Sequence, residues 1–164
     1  MCEVIVSIDA KGNISNKNEL PIFCVENEQR FKLISLAKNE VIIGRKTFDL
    51  IKSSLQDRDL YVATRNKNLF ISKEYITYIT KNNFGILEGI SSDYLVAGGK
   101  ELIHSYKKET TKIYLTTFKE TLYDKNPVHL DLDLSKFKRV YYQESTTIGK
   151  LDHKFEIFKR IDNE

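Results

Sequence analysis

Hydrophobic and polar positions alternate from Val4 to Ile8, and this pattern predicts a strand. Asp9 to Pro21 is polar, carries Gly12 and several Asn residues, and predicts a long loop. From Glu26 to Ala37 the apolar positions Phe31, Ile34 and Ala37 fall along one side of a helix. Val41 to Ile43 is a β-branched run that predicts a buried strand, and Thr47 to Ser54 predicts a helix. Leu60 to Thr64 and Tyr75 to Thr80 predict two more strands. Asn82 to Ser92 is too short and too Gly-broken to predict a helix. Tyr94 to Ala97 predicts a strand, and Lys100 to Lys107 a helix with Leu102, Ile103 and Tyr106 at helical spacing. Lys112 to Phe118, Arg139 to Glu144 and Lys154 to Arg160 read as strands. Helices and strands alternate early, and strands dominate late. That order predicts an α/β fold: a central mixed, mostly parallel sheet with an antiparallel C-terminal edge and flanking helices. No repeat or linker divides the chain, so residues 1–164 read as a single domain.

Two junctions in this pattern carry chemistry. The run Val41-Ile42-Ile43 ends in Gly44, and Arg45, Lys46 and Thr47 follow at once. Backbone N–H groups and cationic side chains gather there, which suits a phosphate. Tyr94 to Ala97 leads in the same way into Gly98-Gly99 and a helix. Two strand–Gly–helix units in one small chain suggest a dinucleotide held across a sheet.

Composition narrows the partners. The 26 basic and 23 acidic side chains give a formal charge of +3 and are interspersed, so nothing asks for nucleic acid. No apolar run approaches the roughly 18 to 20 residues of a membrane span. The start, Met1-Cys2-Glu3-Val4-Ile5-Val6, lacks a basic region and a small-residue cleavage site, so a cytoplasmic protein is expected. Cys2 and Cys24 have no metal spacing and read as free thiols in a reducing compartment. No metal is expected. His104, His129 and His153 read as structural or solvated.

In order along the chain stand Val4 to Ser7, Ile14, Asn18-Glu19-Leu20-Pro21, Phe31-Lys32 and Ile43-Gly44-Arg45-Lys46-Thr47-Phe48. Arg58, Thr64-Arg65, Ala97-Gly98-Gly99-Lys100-Glu101-Leu102, Ile113-Tyr114-Leu115-Thr116 and Phe155-Glu156-Ile157 follow. Through this ordered set, nearly the whole chain resembles the dihydrofolate reductase family. The resemblance implies that family's fold and its reaction, in which NADPH gives a hydride to 7,8-dihydrofolate. It implies one-carbon metabolism, small-molecule partners (dihydrofolate and antifolate-like compounds), and a monomer. Cofactor contacts fall to Ser7, Ile14, Gly44, Arg45, Lys46, Thr47, Thr64, Arg65, Ala97, Gly98, Gly99, Lys100, Glu101 and Leu102. Arg45 and Arg65 near one 2′-phosphate would favour NADPH over NADH. Ile5, Phe31, Ile51 and Leu55 would wall the pterin and benzoyl rings. Arg58 would hold the α-carboxylate of the glutamate tail. Thr116 matches the Thr that bonds the active-site carboxylate.

That carboxylate is the ambiguous position. Counting from Pro21 or from Phe31-Lys32 selects Asn27, and counting from Gly44-Arg45 selects Glu28. A helix rotates about 100° per residue, so both cannot face the pterin equally. Glu28 is the favoured catalytic residue and Asn27 the alternative. Other departures cluster at the loop over the nicotinamide. Ile22 replaces a Trp, Ser15 a Gly and Ile103 a Tyr, and Tyr123-Asp124-Lys125-Asn126-Pro127 stands in place of a Gly-Asp-Thr brace. They leave open a non-catalytic folate- and NADPH-binding or structural module. A pyrimidine reductase of riboflavin synthesis shares the fold, but Arg58 and Gly44-Arg45-Lys46-Thr47-Phe48 argue against it.

Overall fold

The computed structural model describes residues 1–17, 24–66, 75–80, 93–146 and 151–161. In chain order the elements begin β1 (Cys2–Ile8), β2 (Asn13–Asn16), α1 (Val25–Lys38), β3 (Glu40–Gly44) and α2 (Arg45–Ile51). A 3-10 turn (Lys52–Ser54), β4 (Asp59–Ala63), β5 (Ile76–Ile79), β6 (Tyr94–Val96) and α3 (Lys100–Ser105) come next. The chain closes with β7 (Thr110–Phe118), β8 (Pro127–His129), β9 (Phe137–Ser145) and β10 (His153–Arg160).

Eight strands form one mixed sheet in the order β5-β4-β3-β6-β1-β7-β10-β9. The six strands from β5 to β7 are parallel, β10 is antiparallel to β7, and β9 is antiparallel to β10. The chain leaves β1, builds outward through β3, β4 and β5, and returns to insert β6 between β3 and β1. Ligands of open α/β sheets bind at the carboxyl ends of strands around such a reversal. Those ends are Ser7-Ile8, Gly44, Ala63 and Val96.

Burial explains the sequence of the central strands. Val41, Ile42 and Ile43 are all fully buried, because helices cover both faces of a parallel sheet. One face packs Val41, Ile43, Val62 and Leu95 against Phe31 and Ile34 of α1 and Phe48 of α2. The other packs Val4, Val6, Ile42 and Val96 against Leu102 and Ile103 of α3. The edge strand β9 is exposed along nearly its whole length; Lys138, Arg139, Gln143 and Glu144 flank the exposed Val140, Tyr141 and Tyr142.

The rotation of α1 matters most for the site. Its Asn27, Phe31, Ile34 and Lys38 flank faces β1: Asn27 bonds Ser7, and Lys38 pairs with Glu3. A second flank, Glu26 and Arg30, faces β10. There Arg30 Nη1 lies 2.8 Å and Glu26 Oε2 3.5 Å from His153 Nε2, and His153 Nδ1 lies 2.8 Å from the Leu151 carbonyl oxygen. His153 is buried, whereas His104 and His129 are exposed, and both cysteines are free and buried. A third flank, Glu28 and Lys32, faces a cleft toward Arg58.

Three local expectations change. The polar stretch after Asp9 contains β2, which pairs with β8. The helix expected from Thr47 to Ser54 begins at Arg45, and its last residues tighten into the 3-10 turn. The helix expected to reach Lys107 stops at Ser105. The segments Asn82 to Ser92 and Asn18 to Ile22 lie outside the described residues.

Candidate active site

The floor of the site is built from β1 and β7. Ser7 stands opposite Thr116 in the parallel register, and Thr116 opposite Phe155 of β10. Thr116 is buried, as a strand residue at the sheet centre should be. Asn27 reaches this floor from α1: its Nδ2 donates to Ser7 Oγ at 2.9 Å, and the hydroxyl lies 3.2 Å from Asn27 Oδ1. Glu28, one helical step on, lines the cleft with Phe31, Lys32 and Arg58 instead. Of the two candidates for the residue facing the pterin, Asn27, the alternative, thus stands against the sheet, and Glu28, the favoured one, lines the cleft. The roughly 100° step per residue gives that place to Asn27 and turns the carboxylate toward the cleft. Ile5, Phe31 and Ile51 are half-buried along the same face, and Leu55 is in the core beneath them.

The cleft, of about 260 Å³, runs between α1 and the segment from Ser53 to Arg58. Arg58 is 3% exposed. Its Nε donates to Ser35 Oγ (2.9 Å), and Nη1 to the carbonyls of Ser54 (2.9 Å) and Gln56 (2.7 Å). Its Nη2 donates to the Lys32 carbonyl (3.3 Å). These partners are neutral, and no carboxylate pairs with Arg58 among the described residues. Burial pulls the guanidinium down from its ordinary pKa, with neighbouring Asp57 opposing. A guanidinium stays protonated nonetheless, so a fixed positive charge stands in the cleft wall. One N–H of Nη2 has no partner among the described residues. An exposed salt bridge, the plain alternative for Arg58, does not occur.

Across the sheet, Gly44, Gly98 and Gly99 come together. The Gly44 N–H donates to the Gly98 carbonyl (3.0 Å), and a Cβ on Gly44 would come within 3.3 Å of the Gly99 nitrogen. Gly98 has φ +72°, which favours glycine, and the Gly98–Gly99 peptide is cis. Added Cβ atoms on Gly98 or Gly99 would meet only the Thr47 side chain, at 3.7 Å, so the glycines leave a cradle beside Thr47. Arg45 pairs with Asp49 (3.4 Å), and Arg65 with Glu101 (3.7 Å). Lys46 and Lys100 are exposed. Ala97 and Leu102 are buried in the core, and Ile14 packs on the α3 side of the sheet. Ala97 and Leu102 could meet a ligand only through backbone.

A profile described as Dihydrofolate reductase matches residues 1–160. The chain belongs to the dihydrofolate reductase family. Among similar proteins, a dihydrofolate reductase of Buchnera aphidicola subsp. Baizongia pistaciae (strain Bp) is 24% identical over 163 residues, covering 96% of this chain and 97% of the relative. One from Staphylococcus haemolyticus is 22% identical over 160 residues, covering 96% and 95%. A solved dihydrofolate reductase from Enterococcus faecalis, complexed with NADP(H) and RAB-propyl, superposes with a TM-score of 0.83 at 20% identity, covering 99% of this chain and 97% of that one.

One arrangement of this dihydrofolate reductase family member, in the loop after β1, was not legible in sequence. Asp9, fully buried, accepts from the backbone N–H groups of Lys11 (2.9 Å), Asn13 (2.9 Å), Leu122 (3.2 Å) and Tyr123 (3.2 Å). Burial alone would raise its carboxyl, but the amides of Asn13, Lys11 and Tyr123 together hold it below the usual range. Asn16 Oδ1 accepts from Lys125 N–H (3.2 Å), and Lys17 N–H donates to the Asn126 carbonyl (3.1 Å). The segment standing in for the family's Gly-Asp-Thr brace is thus tied to the loop after β1 by Asp9, Asn13 and Asn16. Their spacing in a polar stretch is the only sequence signal of that role.

Proposed function

We propose that this chain reduces 7,8-dihydrofolate to tetrahydrofolate with NADPH, in support of one-carbon and thymidylate metabolism. The carrying observation is Arg58: a buried cation in the wall of a cleft that Phe31 and Leu36 share with polar side chains, held by neutral acceptors, with one N–H unpartnered among the described residues. A carboxylate-bearing ligand with a flat aromatic body suits that cleft. The half-buried Ile5, Phe31 and Ile51 would flank its rings, and Arg58 would take the tail carboxylate. Asn27 would meet the pterin edge with one acceptor and one donor, oriented by Ser7 and backed by Thr116.

The opposite end fits a dinucleotide. The cradle at Gly98-Gly99 admits a pyrophosphate, and Arg45, Lys46, Thr47, Thr64 and Arg65 surround it with cations and hydroxyls. When bound, NADPH supplies the hydride. The chain's own part is to orient the two ligands and keep the centre dry. Asn27 does not ionise, so it cannot hold a proton for the pterin; the proton comes through solvent, and the rate rises as pH falls.

A second reading is a binding module without turnover. The amide at the floor favours it, since an amide offers no acid–base chemistry. Following NADPH absorbance in the presence and absence of dihydrofolate separates the two. Folate-dependent oxidation supports the reductase; binding of both ligands without oxidation supports the module. We place the protein in the cytoplasm as a monomer acting on small molecules, without nucleic acid or membrane. No helix among the described residues is long and apolar enough to cross a membrane.

A further inference from the structure

Both arginines at the dinucleotide end are already matched by a carboxylate. Arg45 pairs with Asp49 along one helix, at i and i+4. Arg65 pairs between elements: its Nη2 lies 3.7 Å from Glu101 Oε2. The backbone fixes this second meeting. Thr64 is buried at the end of β4, and the Asn66 N–H donates to Thr64 Oγ1 (3.1 Å), folding residues 64–66 into a turn. That turn presents Arg65 toward the first turn of α3, where Glu101 follows Gly98-Gly99 by two residues. Both side chains are more than four-fifths exposed, so the pair is weak enough to exchange partners.

We propose that Glu101 sets how strongly this protein prefers NADPH over NADH, and that it narrows the preference. This rests on the reading of Gly44, Gly98-Gly99 and Arg65 as the cofactor seat. A 2′-phosphate bonded to Arg65 would lie roughly 4 to 6 Å from the Glu101 carboxylate at ordinary hydrogen-bond lengths. The phosphate therefore has to share Arg65 with Glu101, or draw Arg65 away from it, and in either case remain beside a like charge. That repulsion acts within the Debye length of about 8 Å at physiological salt, so it is reduced but not abolished. NADH carries a hydroxyl at the same place. A hydroxyl leaves the Arg65–Glu101 pair intact and can donate to the carboxylate, the role an acidic residue plays for a ribose 2′-hydroxyl in dinucleotide sites. One exposed residue thus subtracts from one cofactor and adds to the other.

The test is equilibrium binding of NADPH and of NADH, read by nicotinamide fluorescence, to the unaltered protein and to Glu101→Gln, Glu101→Asp and Arg65→Leu. Glu101→Gln should tighten NADPH by about three- to tenfold and leave NADH no tighter, since one like charge near a dianion is removed in screened solvent. The gain should shrink as salt rises. Glu101→Asp should keep the original ratio, and Arg65→Leu should weaken NADPH more than NADH. A Glu101→Gln ratio unchanged within about twofold, or equal shifts in both cofactors, overturns the role of Glu101 while leaving the cofactor seat standing. Failure of the unaltered protein to bind either dinucleotide overturns the seat and the proposal together.

Discussion

The two ends proposed to take anions treat their cations in opposite ways. Arg58 is buried and held by one hydroxyl and three carbonyls, with no counter-ion among the described residues. Arg65 is exposed and Arg45 half-buried, and each already has a carboxylate. An incoming carboxylate at Arg58 meets a preorganised charge in a medium that screens little. An incoming phosphate at Arg65 competes with Glu101 in water. Electrostatics should therefore contribute more at the tail cleft than at the ribose phosphate, although the phosphate carries more charge.

Arg58→Leu is the sharpest way to break this comparison. The KM for dihydrofolate should rise by about 100-fold, the scale of a lost buried charge-assisted pair, with kcat changed by only a few-fold. The tail sits away from the reacting ring, so its contribution should be nearly equal in ground and transition states. Steady-state kinetics check this, with a thermal unfolding scan to confirm that the variant folds. An unchanged KM would leave Arg58 a structural residue only.

The same contrast holds for acids. Asp9→Asn should cost about 2 to 3 kcal/mol at neutral pH, because a buried group with several amide partners is disrupted. The Asp9 carboxyl lies below its unfolded value in the folded protein. Its contribution is thus full above the unfolded pKa of about 3.9 and is lost as pH falls through the folded one. Denaturant titrations at neutral and acid pH should show the Asp9→Asn deficit shrinking in acid.

At the floor, Asn27→Asp supplies an ionisable group where the chain has an amide. It should raise kcat at neutral pH by about tenfold and flatten the rise toward acid. Glu28→Gln, on the cleft wall, should change kcat by less than about threefold. The reverse ranking in pH–rate profiles would return the catalytic role to Glu28. The smallest effect is expected at the exposed end. Asp49→Asn should change stability by less than about 0.5 kcal/mol, as for most surface pairs.

How much of this was readable in the sequence follows the same division. The core strands were legible because a parallel strand covered on both faces is an apolar run, as in Val41-Ile42-Ile43. The glycines were legible because each ends an apolar run where a helix begins, and at Gly44 the close approach of Gly99 leaves little room for a Cβ. Arg58 could be named from its place in an ordered set of motifs. Its burial could not, since Gln56-Asp57-Arg58-Asp59 reads equally as a solvated turn. The choice between Asn27 and Glu28 depended on the phase of one helix, and two counting routes differed by one residue. β2 and β8 escaped notice because they are short and polar, and their pairing joins segments more than a hundred residues apart. Asp9 belongs with them: its Leu122 and Tyr123 amide partners are visible only once the chain has folded.

The most direct test compares two substrates: dihydrofolate, and the same pteridine–benzoate without its glutamate. NADPH oxidation would be followed with each, for the unaltered protein and for Arg58→Leu. The account predicts that the unaltered protein oxidises NADPH with both at similar kcat. Its KM should be about 100-fold higher for the truncated substrate, and Arg58→Leu should erase that difference. Absence of pterin-dependent oxidation, or equal KM values for the two substrates in the unaltered protein, would contradict it.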